Sequence, residues 1–450
     1  MVKQVNSFPN VYIMGGLRTP IGVYKGQYKM IRPEFLGAAV LNELHRQGYK
    51  AEEIICGNAV GTGGNIGRLM SLYSAYGEAV PSYTVDMQCA SSAMAIGQGF
   101  RAIRSGLVEN LIAGGMESCS LQPMRVYSPE DSRFKQMPYN ADHEKANGQY
   151  MVAQFSPHTL SPATMLEGAH ATACKHSMTK EELDFWTLRS HSLAVEAKEK
   201  QLLEKYIVPN SILKVELGSI MEQATAKLVE HKTNQLVEHK TAKLVANMDH
   251  KTAGFVPPMD YEKAGLEDVM RYELSRSDFK DESIKSRMSQ RLLDRMPPIL
   301  HRDSLLTAAN TCYTHDGAAF VGLTTEPQEF KIVDILPWAG APQLSPEGAW
   351  QSTEAILKRN HLTMDDMDAV EWNEAFAVID VLFERAYKEH VHKYNQLGGA
   401  LAYGHAYGAS GAVNLLHLMA ALKHCDGHYG VTAIAGAGGT GVAMLIERQV

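Results

Sequence analysis

Gly408-Ala-Ser-Gly-Ala412 opens an apolar helix that runs to about His424, and a strand-like Val431-Thr-Ala-Ile-Ala-Gly436 follows it. Cys89-Ala-Ser-Ser-Ala93 does the same thing earlier in the chain. Its helix runs to Arg104-Ser-Gly, and a strand-like Leu111-Ile-Ala-Gly-Gly-Met-Glu117 follows. A second pair precedes these. A helical stretch at 35–47 leads through Lys50-Ala-Glu-Glu53 to Ile54-Ile-Cys-Gly-Asn58. A helical stretch at 348–359 leads through Thr363-Met-Asp-Asp366 to Met367-Asp-Ala-Val-Glu-Trp-Asn373. Each copy is a helix, an acidic turn and a strand that delivers an asparagine. Helical and strand periods that alternate in this way read as α/β. The repetition reads as two similar α/β halves related by approximate two-fold symmetry.

Between the halves, over roughly 123–302, the pattern breaks down. One part is clearly helical: Thr179-Lys-Glu-Glu182 is a capping box that starts a run to about Leu203. A short repeat follows, Leu-Val-Glu-His-Lys-Thr at 228–233 and again at 236–241. Its histidines could suggest metal binding. A solvated amphipathic helix or loop is the preferred reading, and no metal site is expected.

The 450 residues call for more than one small core. A formal net charge of −7 argues against a nucleic-acid-binding surface. No apolar run is long enough for a membrane span, and the first residues lack a signal-peptide pattern. Six scattered cysteines without a CxxC pair suggest a reduced, cytoplasmic protein.

Three segments carry chemistry. Cys89 precedes a helix, where the dipole should lower a thiol pKa, and its small neighbours should let an acyl group approach the backbone. An inert buried cysteine is the plain alternative. His405 lies in the small-residue stretch Gly404-His-Ala-Tyr-Gly408 and could act as base, thiolate partner or oxyanion donor, with a histidine satisfied by backbone as the plain alternative. Asn373 ends an apolar strand, where its amide needs a partner. Gly436-Ala-Gly-Gly-Thr-Gly441 fits GxGxxG, but Val442-Ala-Met-Leu-Ile446 after it reads as a strand, so a dinucleotide site is rejected.

Together these residues resemble the thiolase family of coenzyme-A-dependent acyltransferases. Further markers are Arg18-Thr-Pro-Ile-Gly22, Gly64-Asn-Ile-Gly-Arg68, Ala113-Gly-Gly-Met-Glu-Ser118, Thr307-Ala-Ala-Asn310 and Asp316-Gly-Ala-Ala319. The resemblance implies a thiolase-like fold of duplicated α/β halves with an inserted loop domain. Residues 1–122 and 303–325 would form the N-terminal half, 123–302 the loop domain with an extra insertion at about 215–278, and 326–450 the C-terminal half. It implies Cys89 as acyl-accepting nucleophile, His405 as its activator, and Asn373 as part of an oxyanion hole through a water. It places Met165, Ala308, Ala309, Cys312, Ala375 and Phe376 along the coenzyme A tunnel. It implies acyl-CoA as substrate, no separate cofactor, and a homodimer or homotetramer.

The chain also departs from the family. The second catalytic cysteine falls on Ala435, with Gly436 and Ala437 as oxyanion or substrate-lining positions, and Ala406 replaces a proline. The Asn373-Glu-Ala-Phe376 loop has no cysteine either, which leaves Cys312 as the other thiol expected nearby. The expected activity is Claisen condensation or thiolysis of a 3-ketoacyl-CoA. Decarboxylative condensation or transfer to another acceptor is the alternative, and a catalytically weak coenzyme-A-binding or scaffold subunit is the second.

Overall fold

A computed structural model describes residues 8–136, 149–150, 154–157, 160, 164–224, 278–312 and 314–449. The chain divides into two compact units, Met1–Val208 with Phe279–Val450, and Pro209–Asp278.

The larger unit is built on one ten-stranded sheet. In chain order its strands are β1 (Val11–Arg18), β2 (Gly22–Val23), β3 (Glu53–Gly57), β4 (Ser82–Val85) and β5 (Asn110–Ser118), then β8 to β12. The last five are His315–Thr324, Phe330–Ala339, Ala369–Trp372, Tyr429–Gly436 and Thr440–Arg448. A separate two-stranded ribbon, β6 (Arg125–Val126) and β7 (Gln149–Tyr150), lies between them in sequence. The spatial order is β10-β11-β12-β9-β1-β8-β5-β3-β4, with β2 paired to β8.

The duplication is visible in the pairing. In the N-terminal half β1–β8 and β8–β5 are antiparallel, while β5–β3 and β3–β4 are parallel. In the C-terminal half β9–β12 and β12–β11 are antiparallel and β11–β10 is parallel. The fifth C-terminal position is reduced to one parallel bridge between Val370 and Tyr394. There Asn395 takes over the ladder with its side chain, accepting from Trp372 N at 2.9 Å and donating to Trp372 O at 3.0 Å. The halves join where Val11–Ile13 of β1 pair with Phe330–Ile332 of β9.

Helices Ser91–Arg104 and Ser410–His424 form the inner layer. Pro33–Arg46 and Glu347–Arg359 cover the outer faces. The small residues at the two inner helix starts have a packing reason. A Cβ on Gly411 would lie 2.5 Å from Ala93 N, and one on Gly57 2.4 Å from Ser92 N. Ala412 N donates to Ser92 Oγ at 3.1 Å. The two helix N-termini therefore interlock at backbone distance. The small neighbours of Cys89 serve this close approach.

Helix Lys180–Glu199 has the expected capping box of Thr179 and Glu182, and Met165–Lys175 has another from Thr164 and Glu167. Arg18 is buried and forks onto Asp281, with both contacts at 2.8 Å. In the smaller unit, 210–224 is helical and buries Leu213, Leu217, Ile220 and Met221. The repeat at 228–233 and 236–241 lies outside the described residues, as does most of the 215–278 insertion. No helix among the described residues is long and apolar enough to cross a membrane.

Candidate active site

The site lies where the two inner helices begin. Cys89 sits in a tight turn ahead of Ser91–Arg104. Gln88 before it is left-handed, at φ 53°. Ser91 closes the turn: its Oγ accepts from Met87 N at 2.9 Å and donates to Gln88 O at 2.6 Å. The Cys89 thiol is buried. Burial pushes it up to about 12, and the charge of Glu117 adds to the rise. This corrects the expectation of a thiolate stabilised by the helix dipole. Loss of solvation outweighs the end of one helix.

His405 precedes the other inner helix and is also buried. Its Nδ1 lies 2.7 Å from Ser410 Oγ, and Ser410 Oγ donates to Ala406 O at 3.0 Å. A hydroxyl has one proton, so with that proton on Ala406 O it accepts from His405 Nδ1–H. Nε2 is then the unprotonated nitrogen. Asn373 Nδ2 lies 3.5 Å from Nε2, at the outer limit of a hydrogen bond. The backbone of His405 is held too: His405 N donates to His315 Nδ1 at 3.1 Å, and His315 Nε2 meets Ser283 Oγ at 2.7 Å. Burial, with His315 nearby, pulls the His405 imidazole down to about 3. At neutral pH Cys89 is therefore a thiol and His405 a neutral imidazole.

Asn373 reaches this place by strand alternation at the end of β10. Its Oδ1 is buried with no partner among the described residues. Asn58, its counterpart in the sequence pattern, does different work. It donates to Met116 O at 3.0 Å and to Glu117 Oε1 at 2.8 Å.

Tyr407 links the loop to the thiols. Its ring packs edge-on against His405 at 4.8 Å between centroids. Burial raises its hydroxyl, and Cys119, Cys89 and Cys312 raise it further. Cys312 is thus near Cys89, as expected, but so is Cys119 at the end of β5. Cys312 Sγ donates to Ala400 O at 3.1 Å. That bond marks it as a structural donor. Sequence reasoning missed Cys119, Glu117, Tyr407 and Ser410. The signal was weak but present: an acid and a thiol at the end of the apolar run 111–116.

The tunnel positions fall in two groups. Cys312 N donates to Ala375 O at 2.9 Å, so the segment before β8 runs along the Asn373–Phe376 loop. Cys312, Ala375, Phe376 and Met165 share one apolar cluster. Ala308 is exposed and Ala309 half-buried.

Ala435 needs a correction. The alternation of β11 turns its methyl outward, into the cluster with Ala349 and Ile356 of the outer helix. It lies 3.5 Å from where a Gly348 Cβ would be. Gly436 is the residue that faces the Cys89 turn, since a Cβ there would lie 3.1 Å from Met87 O and 3.6 Å from Ala90 Cβ. Ala437 is buried beyond it, and its carbonyl accepts from Thr440 Oγ1 at 3.4 Å. The glycines of 436–441 lead into strand β12, not a helix.

Comparison with known proteins gives a consistent picture. The profile of the thiolase N-terminal domain matches residues 11–244, and that of the thiolase C-terminal domain matches 329–448. VraB of Staphylococcus epidermidis, by name a candidate acetyl-CoA C-acetyltransferase, is 28% identical over 97% of this chain and 98% of its own length. The Staphylococcus haemolyticus protein of that name is 26% identical over 96% and 97%. The crystal structure of Bacillus anthracis acetyl-CoA acetyltransferase superposes with a TM-score of 0.75, covering 99% of this chain and 100% of that one at 23% identity. Human mitochondrial 3-ketoacyl-CoA thiolase, solved in complex with CoA, gives 0.74 with 98% of each chain covered at 21% identity.

Proposed function

The chain belongs to the thiolase family, and on that footing we propose that Cys89 accepts an acyl group from an acyl-CoA thioester, with His405 as general base. The protein is an acyltransferase of the acetyl-CoA C-acetyltransferase type. The observation that carries the proposal is the Ser410–His405 contact of 2.7 Å, which leaves Nε2 unprotonated. Nε2 takes the thiol proton as sulfur attacks the thioester carbonyl, and returns it to the departing coenzyme A thiolate. A positioned base of this kind contributes about 10²–10⁴ in rate. The unpartnered Asn373 Oδ1 supports a water bridging to the oxyanion.

Incubation with acetyl-CoA followed by peptide mass analysis tests this. One acetyl group should appear on the Cys89 peptide, and none in Cys89→Ala. An unmodified wild-type peptide after a full panel of acyl-CoAs would remove the assignment.

What happens to the acyl group next is a second question. Claisen condensation or thiolysis needs a base at the substrate carbon. Ala435 faces outward and the Cys312 thiol donates a hydrogen bond to Ala400 O. Neither residue is placed to supply that base, so decarboxylative condensation or transfer to another acceptor, where no such base is required, is the second reading beside the acetyl-CoA C-acetyltransferase reaction. Malonyl-CoA as second substrate tests that branch.

We also read the working unit as a cytoplasmic homodimer in lipid metabolism, joined through β4. In support, β4 is the terminal strand of the sheet, and Tyr83, Leu69 and Leu72 are exposed beside it. A terminal strand of this kind invites a partner strand. A monomer by light scattering at micromolar concentration would refute this part.

A further inference from the structure

Glu117, next to the last residue of β5, is a fully buried carboxylate, and it joins segments from both halves of the chain. Oε2 accepts from Ala59 N at 2.9 Å and from Gly408 N at 3.0 Å. Oε1 accepts from Asn58 Nδ2 at 2.8 Å. Val60 N lies 3.3 Å from both oxygens. Every one of these partners is a donor. That set fits an ionised carboxylate, because a carboxylic acid would need an acceptor for its proton. Burial pushes the group up to about 7, against the pull of the backbone donors.

Two consequences meet at the active site. Gly408 stands three residues after His405, and its backbone is pressed onto the end of β5: a Cβ there would lie 2.5 Å from Met116 O. The Glu117 bond to Gly408 N therefore helps to locate the His405 loop. The negative charge also acts on the thiols, raising both Cys89 and Cys119.

We propose that Glu117 is a positioning residue that clips the His405 loop to the turn after β3, with its charge adding to the burial that keeps Cys89 a thiol in the resting enzyme. This rests on the reading of Cys89 as nucleophile and His405 as its base. The thiol then ionises only during attack. As the sulfur–carbonyl bond forms, the proton passes to His405 Nε2. As the bond to coenzyme A breaks, the proton follows the leaving thiolate. Between turnovers the sulfur stays in its less reactive form.

The two roles pull measurements in opposite directions. In full-length Glu117→Gln at pH 8, iodoacetamide should label Cys89 faster than in wild type, because a charge that raises the thiol has been removed. Acyl-transfer turnover in the same variant should fall about tenfold, because Gly408 loses its anchor. A residue with a merely structural role would slow both. Labelling that is unchanged or slower in folded Glu117→Gln overturns the proposal. Glu117→Asp serves if the glutamine variant does not fold. It keeps the charge on a shorter arm, so turnover should fall while labelling is no faster than wild type, and faster labelling would again overturn the proposal. If wild-type Cys89 is never acylated, the functional reading fails, whereas the labelling comparison still decides the role of the charge.

Discussion

His405 and Ser410 are bound side chain to side chain at 2.7 Å, and that contact determines which imidazole nitrogen faces the chemistry. Ser410 is the first residue of its helix, and its hydroxyl is fixed in turn by Ala406 O. Ser410→Ala should leave His405 Nδ1–H buried without an acceptor. Such a loss costs about 1–3 kcal/mol, so acylation of Cys89 should slow about tenfold or more. Stopped-flow acylation with acetyl-CoA checks this, and a wild-type rate in the folded variant would dismiss the tautomer argument.

Asn373 should act on acylation and not on thiol reactivity. Its amide contacts His405 only at 3.5 Å, and its Oδ1 is free to hold a water. Asn373→Ala is expected to reduce acyl transfer by about 10²–10³, as removal of an oxyanion donor does. Iodoacetamide labelling of Cys89, which develops no oxyanion, should stay within about threefold of wild type. Equal loss in both assays would mean that the asparagine orients His405 instead.

The buried histidines predict loss of stability in acid. His405 and His417 are pulled down to about 3, and His191 to about 4, mainly by burial. Unfolding returns each to about 6.5. Below that pH the unfolded chain binds protons that the folded chain refuses. Stability is therefore intact above about 6.5 and declines as pH falls toward the folded values, by up to several kcal/mol in total. His417 is the cleanest probe, since its Nε2 has no partner among the described residues and Nδ1 is 3.7 Å from Glu371. The drop in Tm between pH 6.5 and 4.5 should be shallower in His417→Gln than in wild type. Parallel curves would count against this.

Ala435→Cys should not restore a thiolase base. The new sulfur would point toward Gly348 and the outer helix, away from Cys89. Acetoacetyl-CoA thiolysis is expected to stay within about twofold of wild type. Overpacking in the outer layer could cost about 1–3 kcal/mol of stability. A gain of the ~10²–10⁴ that a positioned acid/base group supplies would show that the end of β11 turns its other face to the site.

Much of this protein is written in local pattern. Apolar strands, small residues at two helix starts and the capping box at Thr179 are short-range features, and the duplicated halves follow from their order. The sequence also pointed to Cys89, His405 and Asn373, but through their resemblance to the thiolase family; local pattern alone argued only for Asn373, a polar group at the end of an apolar run that must be met by something. What it could not decide depends on contacts between distant segments. The thiol of Cys89 is raised and not lowered, because burial outweighs the helix dipole, and burial belongs to the assembled halves. Ala435 faces outward because strand alternation assigns faces only once the covering layers are in place. Glu117 reaches Gly408, 291 residues away, only when β5 and the His405 loop are brought together. Local sequence determines which elements form and which residues are candidates. Tertiary packing alone decides desolvation, facing and partnership, because each is a property of the space between segments.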